Sequence, residues 1–333
     1  MKPTTSFLLP AYNAERTLPD AIRSACAQTV QDFEVVIVDD GSEDDTLEVA
    51  RAFNDPRVRV LARPHAGLVG ALNAGLSACK GKYIARLDAD DTATPDRLER
   101  QLPYLEADPS IGVIDGQVQF HRPFGPMPAG MQRYATWVNS LNSSADIHKQ
   151  LLVESPLVHP AATLRADALR QLGGYRDGPF PEDYDLWLRL RRAGWRLGRV
   201  PKVLVHMRDH DARLTRTDAR YARAAFRMLK QNWLASGPLQ RPTSVAVWGA
   251  GRSGRPWIRW LKEQGHDVPF VVDIAHGGTR RGSPVVPPSA LRLRPVERCL
   301  VAVGAAGARA IIRQAIGRLQ PRWREGTNWW AVC

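Results

Sequence analysis

Long apolar runs are absent from this chain of 333 residues. No stretch approaches the roughly eighteen consecutive apolar residues that a membrane-spanning helix needs, and no basic-then-apolar leader opens the sequence. Secretion and membrane spanning are therefore not expected, and the expected location is cytoplasmic, with peripheral contact at the inner face of a membrane still open. Cysteine is scarce: Cys26, Cys79, Cys299 and Cys333 are scattered without metal-ligand spacing. That excludes a disulfide framework and a cysteine-built metal site, and it fits a reducing compartment. Acidic residues are also in deficit, 34 against 46 basic ones, for a formal net charge of +12. Much of the excess is expected over Arg189–Arg227 and in the C-terminal third. A basic face suits an anionic membrane surface or a phosphate-bearing lipid acceptor, and equally an arginine-rich solvated surface. No recognised nucleic-acid module accompanies the charge, so nucleic acid is not an expected partner.

The length suffices for one large domain and a small one. Ser6–Asn13 reads as a strand running into a turn, and helical periodicity follows with Leu18, Ile22, Ala25 and Cys26 on one face. Phe33–Val38 is an apolar strand that ends abruptly in Asp39-Asp40-Gly41-Ser42, before a helix over about 45–52 and a strand at 58–61. Lys82–Leu87 reads as another buried strand, ending in Asp88-Ala89-Asp90-Asp91. Strands alternating with helices argue a parallel sheet covered on both faces, and such sheets collect ligands at the carboxyl ends of their strands. Three carboxylates within four residues are costly unless a cation answers them, and a divalent ion bridging phosphates is one such answer. A solvated acidic turn capping the next helix is the other.

The set Pro10-Ala11-Tyr12-Asn13, Val36–Ser42, Ala71-Leu72-Asn73-Ala74-Gly75, Arg86–Asp91, Gly173-Gly174-Tyr175 and Glu182–Arg189 resembles the inverting family 2 glycosyltransferases of the GT-A fold, over roughly residues 4–215. The resemblance implies an α/β fold: a GT-A nucleotide-diphospho-sugar transferase domain with a mixed, mostly parallel sheet. It implies that Asp39 accepts from the nucleotide base and that Pro10, Ala11 and Tyr12 form the turn beneath it. Asp90 would ligate Mg²⁺ or Mn²⁺, with Asp88 nearer the ribose or the metal. Arg86 would contact the nucleotide or simply balance the acids. Asp91 would be a water-mediated ligand or a helix cap. Asp183 would be the catalytic base, taking the acceptor proton as the sugar leaves its diphosphate, with Glu182 supporting it. An acidic first turn favoured by the helix dipole is the plainer reading, and the two are compatible. Trp187 is expected in the core.

Val203–His210 resembles a late element of that family, by which Arg208 and His210 would meet the diphosphate or metal, with a mobile loop over 209–217. Met207 in place of the usual aromatic, and Leu72 where many relatives carry arginine, depart from the pattern. His159, in His159-Pro160, is either structural or in touch with acceptor or sugar. The segment from about Asp115 to Ser155 is least like the family. Its Phe120–Pro128 stretch implies loop rather than sheet, helical residues follow around Ile147–Val153, and acceptor identity would reside here.

Ala219–Leu234 reads as a helix broken at Ser236-Gly237-Pro238, which divides the chain into domains 1–235 and 241–333. In the second domain a strand at 244–248 leads into Gly249-Ala250-Gly251-Arg252-Ser253-Gly254 and a helix. A second strand ends at Asp273, a third covers Cys299–Gly304, and a helix spans 308–319. This resembles a small Rossmann-like α/β domain in which Gly249, Gly251, Gly254 and Asp273 would hold NAD(P) or another nucleotide. At about 90 residues it has room for half of a full dinucleotide fold, so packing, dimerisation or nucleotide sensing is the favoured reading. The terminal Asn328–Val332 is expected as an apolar edge strand. The functional expectation is a metal-dependent inverting transferase using a nucleotide-sugar donor, UDP-linked first, and a glycan or lipid-linked acceptor in cell-surface polysaccharide synthesis. The alternatives are a non-catalytic nucleotide-binding scaffold, or a bifunctional transferase with a sugar-nucleotide oxidoreductase domain.

Overall fold

The computed structural model describes residues 2–305 and 307–333. They form two compact units, one of residues 2–147 and 156–225, the other of residues 148–155, 226–305 and 307–333. The first unit carries an eight-stranded sheet. Its strands are β1 (Thr5–Ala11), β2 (Phe33–Asp39), β3 (Val58–Ala62), β4 (Tyr83–Arg86), β5 (Thr92–Ala93), β6 (Ile111–His121), β7 (Thr163–Arg165) and β8 (Arg196–Arg208), in the order β3-β2-β1-β4-β7-β6-β8-β5. Neighbours β3, β2, β1 and β4 are parallel, as are β6 and β8; β7 and the short β5 run antiparallel to their neighbours. The apolar runs of β1 and β2 are buried along their whole length, as strands covered on both faces must be. The helix Gly67–Ala78 packs closely here because a Cβ on Gly75 would overlap Leu8 and Val38.

Register fixes the site. Ala11 lies opposite Asp39, and Leu8 opposite Arg86, so the ends of β1, β2 and β4 open on one edge of the sheet. Thr92 lies opposite His206 across β5 and β8, which brings the Asp88–Asp91 turn beside the end of β8.

Two sequence expectations hold with shifted edges. The Phe120–Pro128 stretch is loop over residues 122–128, while Phe120 and His121 end β6 inside the sheet, and the helix Ala129–Asn139 follows. Glycine in β6 marks crowding, since a Cβ on Gly116 would meet Leu204 at 2.7 Å and one on Gly112 would meet Trp195 at 2.9 Å. Asp115 of β6 is fully buried and paired with the equally buried Arg199 of β8. The helix expected over 219–234 is present as Arg223–Ala235, with a short 3₁₀ turn, Ala219–Tyr221, in place of its first turn.

The second unit carries β9 (Val245–Trp248), β10 (Val271–Val272), β11 (Thr279–Arg280), β12 (Ser283–Val286), β13 (Arg298–Val301) and β14 (Trp329–Ala331), in the order β11-β12-β10-β9-β13-β14. All pairs are parallel except β11 with β12. The strand expected up to Asp273 is only two residues long, and the terminal strand takes the edge. Among the described residues no helix is long and apolar enough to cross a membrane, and all four cysteines are free.

Candidate active site

The turn after β1 and the turn after β2 are stitched together by side chains. Asn13, in a left-handed conformation with φ 49°, donates from its backbone N–H to Ser42 Oγ (3.0 Å), and its own Oδ1 accepts from Glu43 N–H (2.9 Å). Ala14 N–H donates to Thr46 Oγ1 at 2.7 Å. Gly41 has φ +71°, and a Cβ there would meet His65 N at 2.7 Å, so this turn requires glycine. Asp39 is buried at the floor, where its carboxylate accepts from Ser42 N–H at 3.4 Å. Asp40 accepts from Ala66 N–H and faces Arg63 (3.5 Å) and His65 (3.0 Å). Over this floor the rings of Tyr12 and His65 lie 4.4 Å apart at 35°, both open to solvent. Sequence reasoning missed His65; only its position after β3, the strand beside Asp39, could have pointed to it.

The carboxylates of Asp88, Asp90 and Asp91 bring an oxygen each within 4.8 Å of one another. Asp91 is buried; its Oδ1 accepts from Arg208 N–H at 2.8 Å, while its Oδ2 has no hydrogen-bond partner. His210 Nε2 lies 3.1 Å from Asp90 Oδ2. Burial, then the adjoining carboxylates, raises the pKa of Asp90, and that of Asp91 further. An unpartnered buried oxygen amid acids that resist ionisation fits a cation site, and three carboxylates with one imidazole suit Mg²⁺ or Mn²⁺. The Arg86 guanidinium is only 1% exposed and binds Asp88 and the Leu87 carbonyl. Burial opposes its charge, yet Asp88 carries its pKa upward. In this arrangement Arg86 balances the acids. Arg208 reaches the cluster through its backbone, and Arg213, missed in the sequence, is the guanidinium whose charge favours ionised Asp90 and Asp91. Asp209 is fully buried between Arg122 (2.9 Å) and Arg216 (2.7 Å), which anchors the start of the segment read as a loop.

A second acidic pair opens the helix Glu182–Arg192. Glu182 is buried, with Oε2 accepting from the Tyr221 hydroxyl at 2.8 Å and Oε1 3.9 Å from His159 Nδ1. His159 Nε2 is in turn 2.9 Å from the Tyr175 hydroxyl. Burial, then the charge of Arg86, holds the His159 pKa well below its usual value, so the ring is neutral. It is buried against Trp187 and Tyr175, a structural place. Asp183 is partly open, and its Oδ1 accepts its neighbour Tyr184 N–H at 2.6 Å. Its pKa is raised well above the ordinary range by burial and by the Glu182 charge. That of Glu182 is raised by burial, against the Tyr221 bond and the charges of Arg86 and Arg220. The helix is held in place by Arg189, which binds Asp185 (2.6 Å) and the Gly174 carbonyl (3.0 Å). Asn73 in turn exchanges two 2.9 Å hydrogen bonds with the Tyr175 backbone.

In the second unit the glycine turn follows β9. Gly249 has φ +125°, and a Cβ on Gly254 would fall 1.8 Å from Gly249 O, whereas one on Gly251 would meet nothing within 4 Å. Asp273 Oδ2 accepts from Ala250 N–H (2.7 Å) and its Oδ1 from Ala275 N–H (3.1 Å), so both oxygens already hold backbone.

Residues 6–173 match the family profile described as Glycosyl transferase family 2. The amylovoran biosynthesis glycosyltransferase AmsE of Erwinia amylovora is 33% identical over 61% of this chain and 75% of its own length. Across the first such curated relatives the matched stretch spans 66% to 75% of their length. In fold, the chain is similar to TarS 1-349 of S. aureus, solved in complex with UDP-GlcNAc (TM-score 0.53, 16% identity, 71% of this chain and 67% of that one). It is likewise similar to the mannosyltransferase PcManGT of Pyrobaculum calidifontis, solved with GDP-Man and Mn²⁺ (TM-score 0.52, 18% identity, 79% and 69%). A mostly parallel sheet with its acidic turns on one edge, together with these matches, establishes that the chain belongs to glycosyl transferase family 2 and is a glycosyltransferase.

Proposed function

We propose that this glycosyltransferase moves a sugar, with inversion, from a nucleoside-diphospho-sugar to a glycan or lipid-linked acceptor in cell-surface polysaccharide synthesis. A UDP-sugar is the leading donor, and turnover depends on Mg²⁺ or Mn²⁺. The observation that carries this reading is the meeting of Asp88, Asp90, Asp91 and His210 at one strand edge with an unpartnered buried oxygen among them. Asp90, Asp88 and His210 would hold the cation, which would offset charge gathering on the leaving diphosphate.

The chain's own residues supply the rest. Asp39 accepts from the base, Pro10 and Ala11 give the turn beneath it, and Tyr12 with His65 offers a flat shelf for it. Asp183 takes the proton of the attacking acceptor hydroxyl. The new bond forms between that oxygen and the anomeric carbon, while the bond to the diphosphate oxygen breaks and its electron pair leaves with the diphosphate. A base kept from ionising too easily by burial and by Glu182 is suited to neutral pH. For the second unit, the parallel sheet and glycine turn support a packing or nucleotide-sensing role.

Binding and hydrolysis across UDP-, GDP- and dTDP-sugars with Mn²⁺ or Mg²⁺ test the reading. Asp90→Ala should abolish metal-dependent donor binding, while Asp183→Asn keeps binding and loses turnover. Absence of metal-dependent binding to every donor would overturn it in favour of a scaffold.

A further inference from the structure

Charge is divided unevenly along this chain. Residues 226–333 hold 17 of the 46 basic side chains and 5 of the 34 acidic ones, a net of +12, so residues 1–225 are neutral. The arginines of 189–225, a stretch expected to carry part of the excess, are balanced by acids in their own unit.

Within the second unit six basic side chains share one surface. The helix Arg255–Glu263 buries Trp257, Ile258 and Leu261 and leaves Arg255, Arg259 and Lys262 exposed, at the spacing of a single helical face. Arg252 is exposed in the glycine turn just before it. Lys262 Nζ donates to Arg281 O at 2.6 Å and Arg280 Nε donates to Ala250 O at 3.1 Å, which fastens Arg280 and Arg281 alongside the same turn and helix. The ion pair of Arg313 with Glu325 involves none of the six, and none has a carboxylate within ion-pair distance among the described residues. Ile274 follows Asp273, whose carboxylate holds Ala250 N–H, so this side chain, 84% exposed, belongs to the same edge.

Unpaired cations beside an aliphatic side chain in water suit one kind of partner. Single-stranded nucleic acid is gripped by charge together with aromatic stacking, but the exposed large hydrophobics of this unit are Ile274, Leu293 and Ile311. An anionic bilayer satisfies both features, since headgroup phosphates meet the charge and the acyl boundary takes the isoleucine. We propose that this face of the second unit docks the protein on an anionic lipid bilayer, with the six basic side chains on headgroup phosphates and Ile274 inserted among them. The inference deepens the membrane side of the proposed function and needs no step of the transfer reaction.

Flotation of the full chain with phosphatidylglycerol-containing vesicles, against pure phosphatidylcholine vesicles, tests it. Recovery should occur with the anionic vesicles alone and fall as salt rises. Combined Arg255→Gln, Arg259→Gln and Lys262→Gln should weaken partitioning on the order of a hundredfold, about fivefold per charge removed. Ile274→Asn, which removes the apolar side chain without adding charge, should weaken vesicle binding and leave heparin binding unchanged. A wild-type protein that floats with neither vesicle at low salt overturns the proposal. So does a vesicle interaction untouched by Ile274→Asn, which would assign the face to a soluble polyanion. Donor hydrolysis measured in parallel separates the two readings: an inactive protein that floats leaves the docking face standing, and an active one that does not float leaves glycosyl transfer standing.

Discussion

His210 Nε2 lies 3.1 Å from Asp90 Oδ2 across 120 residues of chain. The pairing of β5 with β8 brings the end of β8, two residues before His210, beside the Asp88–Asp91 turn. An imidazole nitrogen beside a carboxylate is a ready divalent ligand pair. His210→Ala should therefore weaken Mn²⁺ binding by at least the roughly 10–100-fold seen when outer partners of metal ligands are lost. Manganese titration followed by electron paramagnetic resonance would show it, with EDTA abolishing turnover and added Mn²⁺ restoring it. Unchanged manganese affinity would remove His210 from the metal set.

Asp183 links activity and stability through one shifted carboxyl. Burial and the Glu182 charge raise its folded-state pKa well above the ordinary carboxylate value. Below that ordinary value both folded and unfolded chains bind the proton, and folding suffers no penalty. As pH rises through the window up to the raised value, the unfolded chain releases its proton first, so native stability falls. Asp183→Asn removes that penalty. It should melt higher than wild type at neutral pH, with the gap closing in acid, while turnover falls by about 10²–10⁴-fold. Glu182→Gln should move the acid limb of the activity profile to lower pH, because the charge that raises Asp183 is gone. Thermal melts and pH–rate profiles on the same variants read both effects.

Tyr221 enters as a positioning residue for that pair. Its hydroxyl donates to Glu182 Oε2 at 2.8 Å, and the bond favours the ionised carboxylate against the effect of burial. Tyr221→Phe keeps the ring and deletes the donor. A hydrogen bond to a charged group contributes about 1.5–3 kcal/mol, so a fall of about tenfold or more in kcat is expected with the donor KM unchanged. Glu182 should then hold its proton to higher pH, which weakens the charge that raises Asp183 and moves the acid limb downward. A structural role alone would lower stability and leave that limb where it was.

What the sequence disclosed and what it hid have a common physical origin. Strand ends such as Val38-Asp39 and Leu87-Asp88 are legible because apolar runs stop abruptly at acids, and Asn13 and Gly41 are legible because turns demand them. His65, Tyr221 and Arg213 were invisible because their roles depend on strand register and on contacts across tens of residues, which no local pattern encodes. The small residue at Gly116 has the same origin, since Leu204 of the neighbouring β8 lies across it.

The glycine turn of the second unit offers a separation of folding from binding. A Cβ at Gly254 would fall 1.8 Å from the Gly249 carbonyl oxygen, which is backbone and cannot swing aside, whereas at Gly251 nothing lies within 4 Å. Gly254→Ala should therefore destabilise the unit by about 3 kcal/mol or more, since relief requires moving the turn away from β9. Gly251→Ala should melt like wild type. If the open face of this turn receives a nucleotide phosphate, the added methyl at Gly251 would stand where the phosphate must approach the backbone, and calorimetry should show affinity lost with stability intact. Equal nucleotide binding by wild type and Gly251→Ala would mean that the turn serves packing alone: its first and third glycines are needed by the chain itself, and Asp273 holds the loop with no need of a ribose.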